Sequence, residues 1–321
     1  MVTTALLLLA LLAWFPRPPI PVLTGFHQVR HLVVPLALPL GLLALASGSI
    51  FGVILAIGAC VCWYREFGSR LTPAPAPEVV DTVGDLRIVT LNAGDHRSDV
   101  DRIVDYVQGV DADIVCLQEV TPAHIEAFDR SLNEEYPYRS YQGGGINGLA
   151  LLSKFPIESA EELRATGPLT HQQATLDVNG RELRIINAHP SASIAALGER
   201  STSAADVRKI AELATVGTPT IVMGDFNSTD QTHAYHALES AGLQDAFRTV
   251  QGTLGPTFPV RWRYLYLPLP PIVRIDFHWH THHFAAVESR VGRDASSDHL
   301  PLESTLSWRR DAAEVPQSRA A

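Results

Sequence analysis

The chain has 321 residues, 46% of them apolar, enough to bury at least one large core. Its formal charge is −9, and only four of its 25 Lys and Arg and two of its 34 Asp and Glu precede Asp81, so the acidity lies after that point. Non-specific duplex binding relies on Lys and Arg neutralising phosphates, so this balance argues against a basic nucleic-acid surface. Three cysteines make no disulfide framework.

In chain order, residues 2–15 form one apolar run, closed by PRPPIP, and residues 32–64 form a second without a formal charge. A spanning helix takes roughly 20 residues, so the second run is long for one crossing and short for two. Ser47-Gly48-Ser49 at its centre predicts two short helices joined by a tight turn. A signal peptide is the rival reading of the first run, but no small-x-small cleavage site and no basic start accompany it. The expectation is an uncleaved, multi-pass anchor of two or three helices over residues 1–66, in the cell membrane. Arg17, Arg30, Arg65 and Arg70 flank both runs. The positive-inside rule therefore votes weakly, and with three spans it votes for an inside catalytic domain. TPAPAP (72–77) reads as a stiff extended spacer within a Pro-rich linker at 67–80. A soluble domain is expected at 81–308 and a disordered tail at 309–321.

Within the domain, LRIVTLNAG (86–94) reads as a strand ending in a polar turn. SDVDRIVDYVQ follows as an amphipathic helix with Ser98 as N-cap. DADIVCLQEV (111–120) is the next strand, with Cys116 a small buried hydrophobe, and Thr121-Pro122 caps a further helix. GLALLSKFP is a buried strand, and ATLDVNGRELRIINAHP is a hairpin turning at Asn179-Gly180. ADVRKIAELATVG is a helix ended by Gly217; TPTIVMGDFN, VRIDFHWH and HLPLESTLSW are strands. Strands with fewer helices, and hairpins among them, predict an α/β sandwich of two mixed or antiparallel sheets rather than a doubly wound sheet.

Five apolar runs end on a group able to bind a cation or move a proton: Asn92 in TLNAG, Glu119 in LQEV, His189 in NAHP, Asp225 and Asn227 in MGDFNSTD, and Asp298-His299 in SSDHLP. Asp276 in RIDF is a sixth case, inside a strand. A lone Asn in a turn is usually an Asx-turn and a lone Glu after a strand is usually solvated. Together and in this order they resemble the endonuclease/exonuclease/phosphatase superfamily over residues 86–306. The resemblance implies a four-layer α/β sandwich of the DNase I-like kind: two mixed, mainly antiparallel sheets flanked by helices, with these strand ends on one Mg²⁺-dependent phosphoester site (Mn²⁺ being the alternative ion).

Residue by residue, the resemblance implies Glu119, Asn92 and Asp298 as the metal group. Asp225 would orient or deprotonate the attacking water, and Asn227 would donate to a phosphate oxygen. Acid and amide at i and i+2 of an extended chain point to one side, which would aim both at one phosphate. His299 would activate water or stabilise charge, with Asp276 holding its other ring nitrogen. His189 would stand beside the leaving oxygen.

Two stretches depart from the pattern. RIDF continues as HWHTHH, which places His278 and His280 on the face of Asp276. They are read either as a polar strand end with stacked imidazoles or as a second, Zn²⁺-type site. TFPVRWRYLYLPLPPI (257–272) is read either as a core-packed segment or as an exposed, lipid-touching lip, the lip being favoured because its prolines preclude a regular interior strand. Arg261 and Arg263, together with His278, are candidate substrate contacts.

The resulting expectation is a membrane-anchored phosphohydrolase acting on a lipid-linked or membrane-surface phosphoester, with no protein partner. The sequence resembles the actinobacterial membrane phosphatases of teicoplanin resistance, which implies a catalytic domain on the extracytoplasmic face. A membrane-tethered nuclease and a catalytically silent scaffold are the alternatives.

Overall fold

The computed structural model describes residues 29–71, 74, 81–164, 169–191, 202–214, 217–261 and 268–310, together with Thr4, Leu6, Leu7, Leu8 and Leu11. Most of the first apolar run, most of the Pro-rich linker, Arg263 and residues 311–321 of the tail lie outside the described residues, while Arg309 belongs to the last strand.

The second apolar run folds as two helices, α1 (Val33–Ala46) and α2 (Ile50–Phe67), broken at Ser47–Ser49 as the sequence predicts. Gly48 takes the left-handed backbone of the turn (φ 72°), and the Ser49 hydroxyl caps α2 by accepting from Gly52 N at 3.3 Å. Small residues let the helices close up: a Cβ on Gly41 would stand 2.8 Å from Ala56 Cβ, and one on Gly52 2.7 Å from Ala44 Cβ. Leu36, Leu42, Leu45, Ile50, Ile54 and Ile57 point outward, each more than half exposed. Residues Ile50–Leu71 make one helix long and apolar enough to cross a membrane, whereas Arg30–Ala46 is shorter.

The rest is a sandwich of two six-stranded sheets. The first contains β1 (Thr82–Asn92), β2 (Ile114–Gln118), β3 (Tyr138–Gln142), β4 (Leu149–Ser153), β11 (Phe284–Val291) and β12 (Leu302–Arg309), in the order β11-β12-β1-β2-β4-β3. The second contains β5 (Ile157–Arg164), β6 (Thr170–Val178), β7 (Arg181–Ala188), β8 (Thr220–Asp225), β9 (Gln244–Asp245) and β10 (Asp276–His280), in the order β5-β6-β7-β8-β10-β9. In each sheet only the central pair is parallel, β1 with β2 and β7 with β8. Every other pair is antiparallel.

Alternation along the strands builds three cores. Ile88, Ile114 and Cys116 of one sheet meet Leu183, Ile185, Ile221 and Met223 of the other between the sheets. Val89, Leu91, Val115 and Leu117 face outward onto α3 (Val100–Val110) and α4 (Pro122–Ser131). Ile186, Val222, Phe277 and Trp279 face outward onto α5 (Thr202–Ala214) and α6 (His233–Ser240). A short α7 (Ala246–Gln251) follows β9. Helix, sheet, sheet, helix are the four expected layers.

One local expectation shifts. The N-cap of α3 is Asp99, whose carboxylate accepts from Asp101 N and Arg102 N at 3.1 and 3.3 Å, while the Ser98 hydroxyl bonds Asp95 O and His124 Nε2. Helix α5 is described to Ala214, residues 215 and 216 lie outside the described residues, and Gly217 takes the left-handed backbone (φ 71°) that suits a helix stop. Thr121-Pro122 does open α4, in a box where Thr121 Oγ1 accepts from His124 N and Thr121 N donates to His124 Nδ1. Asn179 and Gly180 both have positive φ, 56° and 84°, as a type I′ hairpin requires.

Candidate active site

The polar residues converge because of the topology. Parallel β1 and β2 end together at Asn92 and Gln118, and parallel β7 and β8 end together at Ala188 and Gly224–Asp225. β10 begins at Asp276 directly opposite Asp225, and β12 runs antiparallel to β1, which returns Asp298 and His299 to the Asn92 end. On each strand the position that would fill the core between the sheets becomes polar at this end.

Two site residues leave the strand pattern. Glu119 and Asn227 take left-handed backbone, φ 54° and 49°, which is uncommon outside glycine. The sharp turn after Gln118 swings Glu119 out of the sheet and toward the cleft. Asp225 and Asn227 come together by a comparable turn rather than by simple alternation: Asn227 N donates to Asp225 Oδ1 at 2.7 Å and its Nδ2 to Pro190 O at 3.2 Å.

Glu119, Asp225, Asn227, Asp298 and His299 line a cleft of about 360 Å³ with Arg97, Phe258, Pro259, Arg261, Leu269 and Ile275. Asn92 lies just behind this wall. Its Nδ2 donates to Glu119 Oε1 (3.1 Å) and Asp225 Oδ2 (2.9 Å), and its Oδ1 is taken by Gly94 N (2.9 Å). It is therefore placed as a spacer between the two carboxylates. His299 Nδ1 donates to Asp276 Oδ2 at 3.1 Å and its Nε2 stands 3.7 Å from Asp225 Oδ2. His189 Nε2 lies 3.9 Å from Asp225 Oδ2 and 4.0 Å from Glu119 Oε1.

The electrostatics separate these groups. Desolvation raises Glu119 above the usual carboxylate range, opposed by the Asn92 hydrogen bond. Desolvation also raises Asp225, against the opposing charge of His299. Desolvation presses His189 down to about 4, so it is neutral. His299 is desolvated too, but Asp276 and Asp225 outweigh that and lift it to about 10, so it is a cation.

The cleft fits a hard divalent cation. Glu119 and Asp298 offer oxygen donors on it. The Arg97 guanidinium, 3.1 Å from Glu119 Oε2, shares this carboxylate. Among the described residues, Asp225, Asp276 and His299 form the one triad whose ligand atoms lie within 4.8 Å of one another. His299 and Asp276 are bonded to each other there, which favours a proton-handling role for that triad.

Sequence reasoning missed four contributors. Arg97 lies in a polar loop where arginines are common. Ser297 donates to Asn92 O (2.6 Å) and accepts from His299 N (3.1 Å), joining the two ends of the domain. Beneath the site Gln118 Nε2 donates to Asn187 Oδ1 at 2.7 Å, a buried amide layer legible only as polar residues inside apolar strands.

Other candidates lie elsewhere. His278 is fully buried between the sheets, bonded through Nδ1 to Ser304 Oγ at 2.8 Å, so it is not a substrate contact as expected. It shares a face with Asp276, but that face turns inward below the cleft. His280 is buried too, its ring edge-on to Phe284, and neither belongs to a metal-spaced cluster of the described residues; the imidazoles that lie ring to ring are those of His282 and His283, 4.1 Å apart. The Arg261 side chain borders the cleft, but it is ion-paired with Asp294.

A sequence profile described as the endonuclease/exonuclease/phosphatase family matches residues 89–299. The uncharacterized protein YbhP of Escherichia coli K12 is 26% identical over 260 residues, covering 68% of this chain and 95% of that one. An endonuclease/exonuclease/phosphatase of Beutenbergia cavernae superposes with a TM-score of 0.58 at 21% identity, over 70% of this chain and 72% of that one. Truncated TDP2 of Caenorhabditis elegans superposes at 0.53 with 20% identity, over 70% and 98%. Family members hydrolyse phosphoester bonds, include nucleases, and generally depend on a divalent cation. Motif order, layered sheets and convergent strand ends thus agree with the profile, and the chain belongs to the endonuclease/exonuclease/phosphatase family.

Proposed function

We propose that the chain is a membrane-anchored, divalent-cation-dependent hydrolase of a lipid-linked phosphoester, with Mg²⁺ as the ion. The observation that carries this reading is the wall of the cleft. Phe258, Pro259, Leu269 and Ile275 give it an apolar side beside the acids, and they belong to the segment that reaches the helical hairpin through Ile272. A headgroup could enter the cleft while its apolar chain stays along this lip.

Glu119 and Asp298 would hold the cation, which supplies Lewis acidity toward a phosphate oxygen. Asp225 orients the attacking water and takes its proton, a role suited by its raised pKa and its place between two imidazoles. The His299 cation, steadied by Asp276, offsets negative charge that develops at phosphorus. Asn227 donates to a phosphate oxygen, and neutral His189 faces the departing oxygen. We assign the domain to the extracytoplasmic side; full protection from protease in intact cells would overturn that.

The test uses the full chain in detergent with Mg²⁺, beside Glu119→Ala, offered a polyprenyl pyrophosphate in one tube and supercoiled DNA in another. Phosphate release from the lipid alone, lost in the variant and with chelator, is the expected result. Nicked DNA with intact lipid would replace this reading by a tethered nuclease.

A further inference from the structure

We propose that the base of the helical hairpin is a working part of the catalytic site, with His31 as a positioning residue. It would hold, from outside, the two chain segments that carry Asn227 and back His299. The proposal rests on the cleft being the hydrolytic site.

His31 is buried at the start of α1. Its Nε2 lies 2.5 Å from Ile272 O, and a carbonyl only accepts, so Nε2 carries the proton. That leaves Nδ1 to accept from the Gln231 amide nitrogen at 2.9 Å. Trp63 of α2 fixes His31 from behind, its Nε1 donating to His31 O at 2.7 Å. One imidazole thereby ties the lip to the turn that follows Asn227.

Two arginines reinforce the turn. Arg30 donates to Gln231 O at 3.1 Å and pairs with Glu66 at 2.8 Å. Arg70, beyond α2, pairs with Asp230 at 2.7 Å, where Arg248 and Arg274 also approach to 3.6 and 3.7 Å. Both Arg70 and Asp230 side chains are only 7% exposed. A simple tether needs no buried, ion-paired junction, since burying charge is costly unless it is paired.

Both paths from His31 lead to reacting groups. Asp230 is three residues past Asn227, whose left-handed backbone has to be held by its surroundings. Ile272 N donates to Phe258 O at 2.9 Å, and the Phe258 ring packs on the His299 imidazole at 4.7 Å. Loosening His31 should therefore disturb transition-state contacts more than substrate capture.

The test uses the full chain in detergent with Mg²⁺ and bis(p-nitrophenyl) phosphate, a soluble diester that needs no membrane approach. For His31→Ala, kcat falls about tenfold while KM stays within about threefold, and amide exchange across residues 226–232 accelerates. His31→Gln, which keeps a donor for Ile272 O, restores most of kcat. If His31→Ala does not fold, Arg70→Gln gives the same pair of readouts. Unchanged exchange, or faster exchange with unchanged kcat, overturns the positioning role. A wild-type protein inert toward every phosphoester overturns the proposed function instead, and the exchange data then still decide whether the clamp exists.

Discussion

At Asp225, function and stability pull apart. The carboxylate is fully enclosed, and desolvation raises its pKa despite Asn92 and two imidazoles. A buried charge of this kind costs folding energy that an amide of the same shape does not. Asp225→Asn is therefore expected to lower kcat by about 10²–10⁴, while the melting temperature of the cation-free protein stays equal or rises. A drop in melting temperature parallel to the loss of activity would assign Asp225 to the scaffold. The same logic separates the two imidazoles: among the described residues His189 has no close carboxylate hydrogen bond and is neutral, whereas His299 donates to Asp276 and is charged. Two residues of one type thus take different roles through their surroundings.

At the scale of the elements, β8 depends on the absence of one side chain. Gly224 has φ 148°, and a Cβ there would lie 2.0 Å from Ala188 O on the parallel neighbour β7. The two strands that present His189 and Asp225 can only meet through this close approach. Gly180, at the β6–β7 hairpin, also has positive φ but has open space around it. Gly224→Ala should therefore destabilise by about 3 kcal/mol or more, and Gly180→Ala by about 1–2 kcal/mol. Denaturant midpoints of the two variants measure the difference, and equal losses would show that backbone conformation alone matters.

For the whole molecule, the buried histidines set the response to acid. Desolvation holds His124 at about 4, His278 at about 3 and His280 at about 4. In the unfolded chain they bind protons near pH 6.5, so below that pH the unfolded state takes up protons that the folded state refuses. The contribution of these three rings is therefore fully present above about pH 6.5 and falls as pH drops toward 4. Denaturant midpoints measured across this window should decline with acid, and His280→Gln should decline less steeply. A flat profile would mean these rings are reached by protons without unfolding.

Much of this was legible in the residues. The apolar run broken at Ser47–Ser49, the Thr121-Pro122 cap and the Asn179-Gly180 hairpin are local effects, fixed by hydrophobicity, capping and φ preference over a few positions. Glu119, Asp225 and His299 stood out because each ends an apolar run with a charge that a core would reject. The edge strands β3 and β5 were not legible, since YRSYQ and IESAEELR are only partly buried and lack an apolar alternation. Only the tertiary structure decided that Asn92 spaces two carboxylates, that His278 lies inside while sharing a face with Asp276, and that Arg97 and Ser297 join the site. Only it set His31 against Gln231, 200 positions away. Local sequence fixes which face a side chain takes, whereas what stands opposite that face depends on strand order and on turns joining distant parts of the chain.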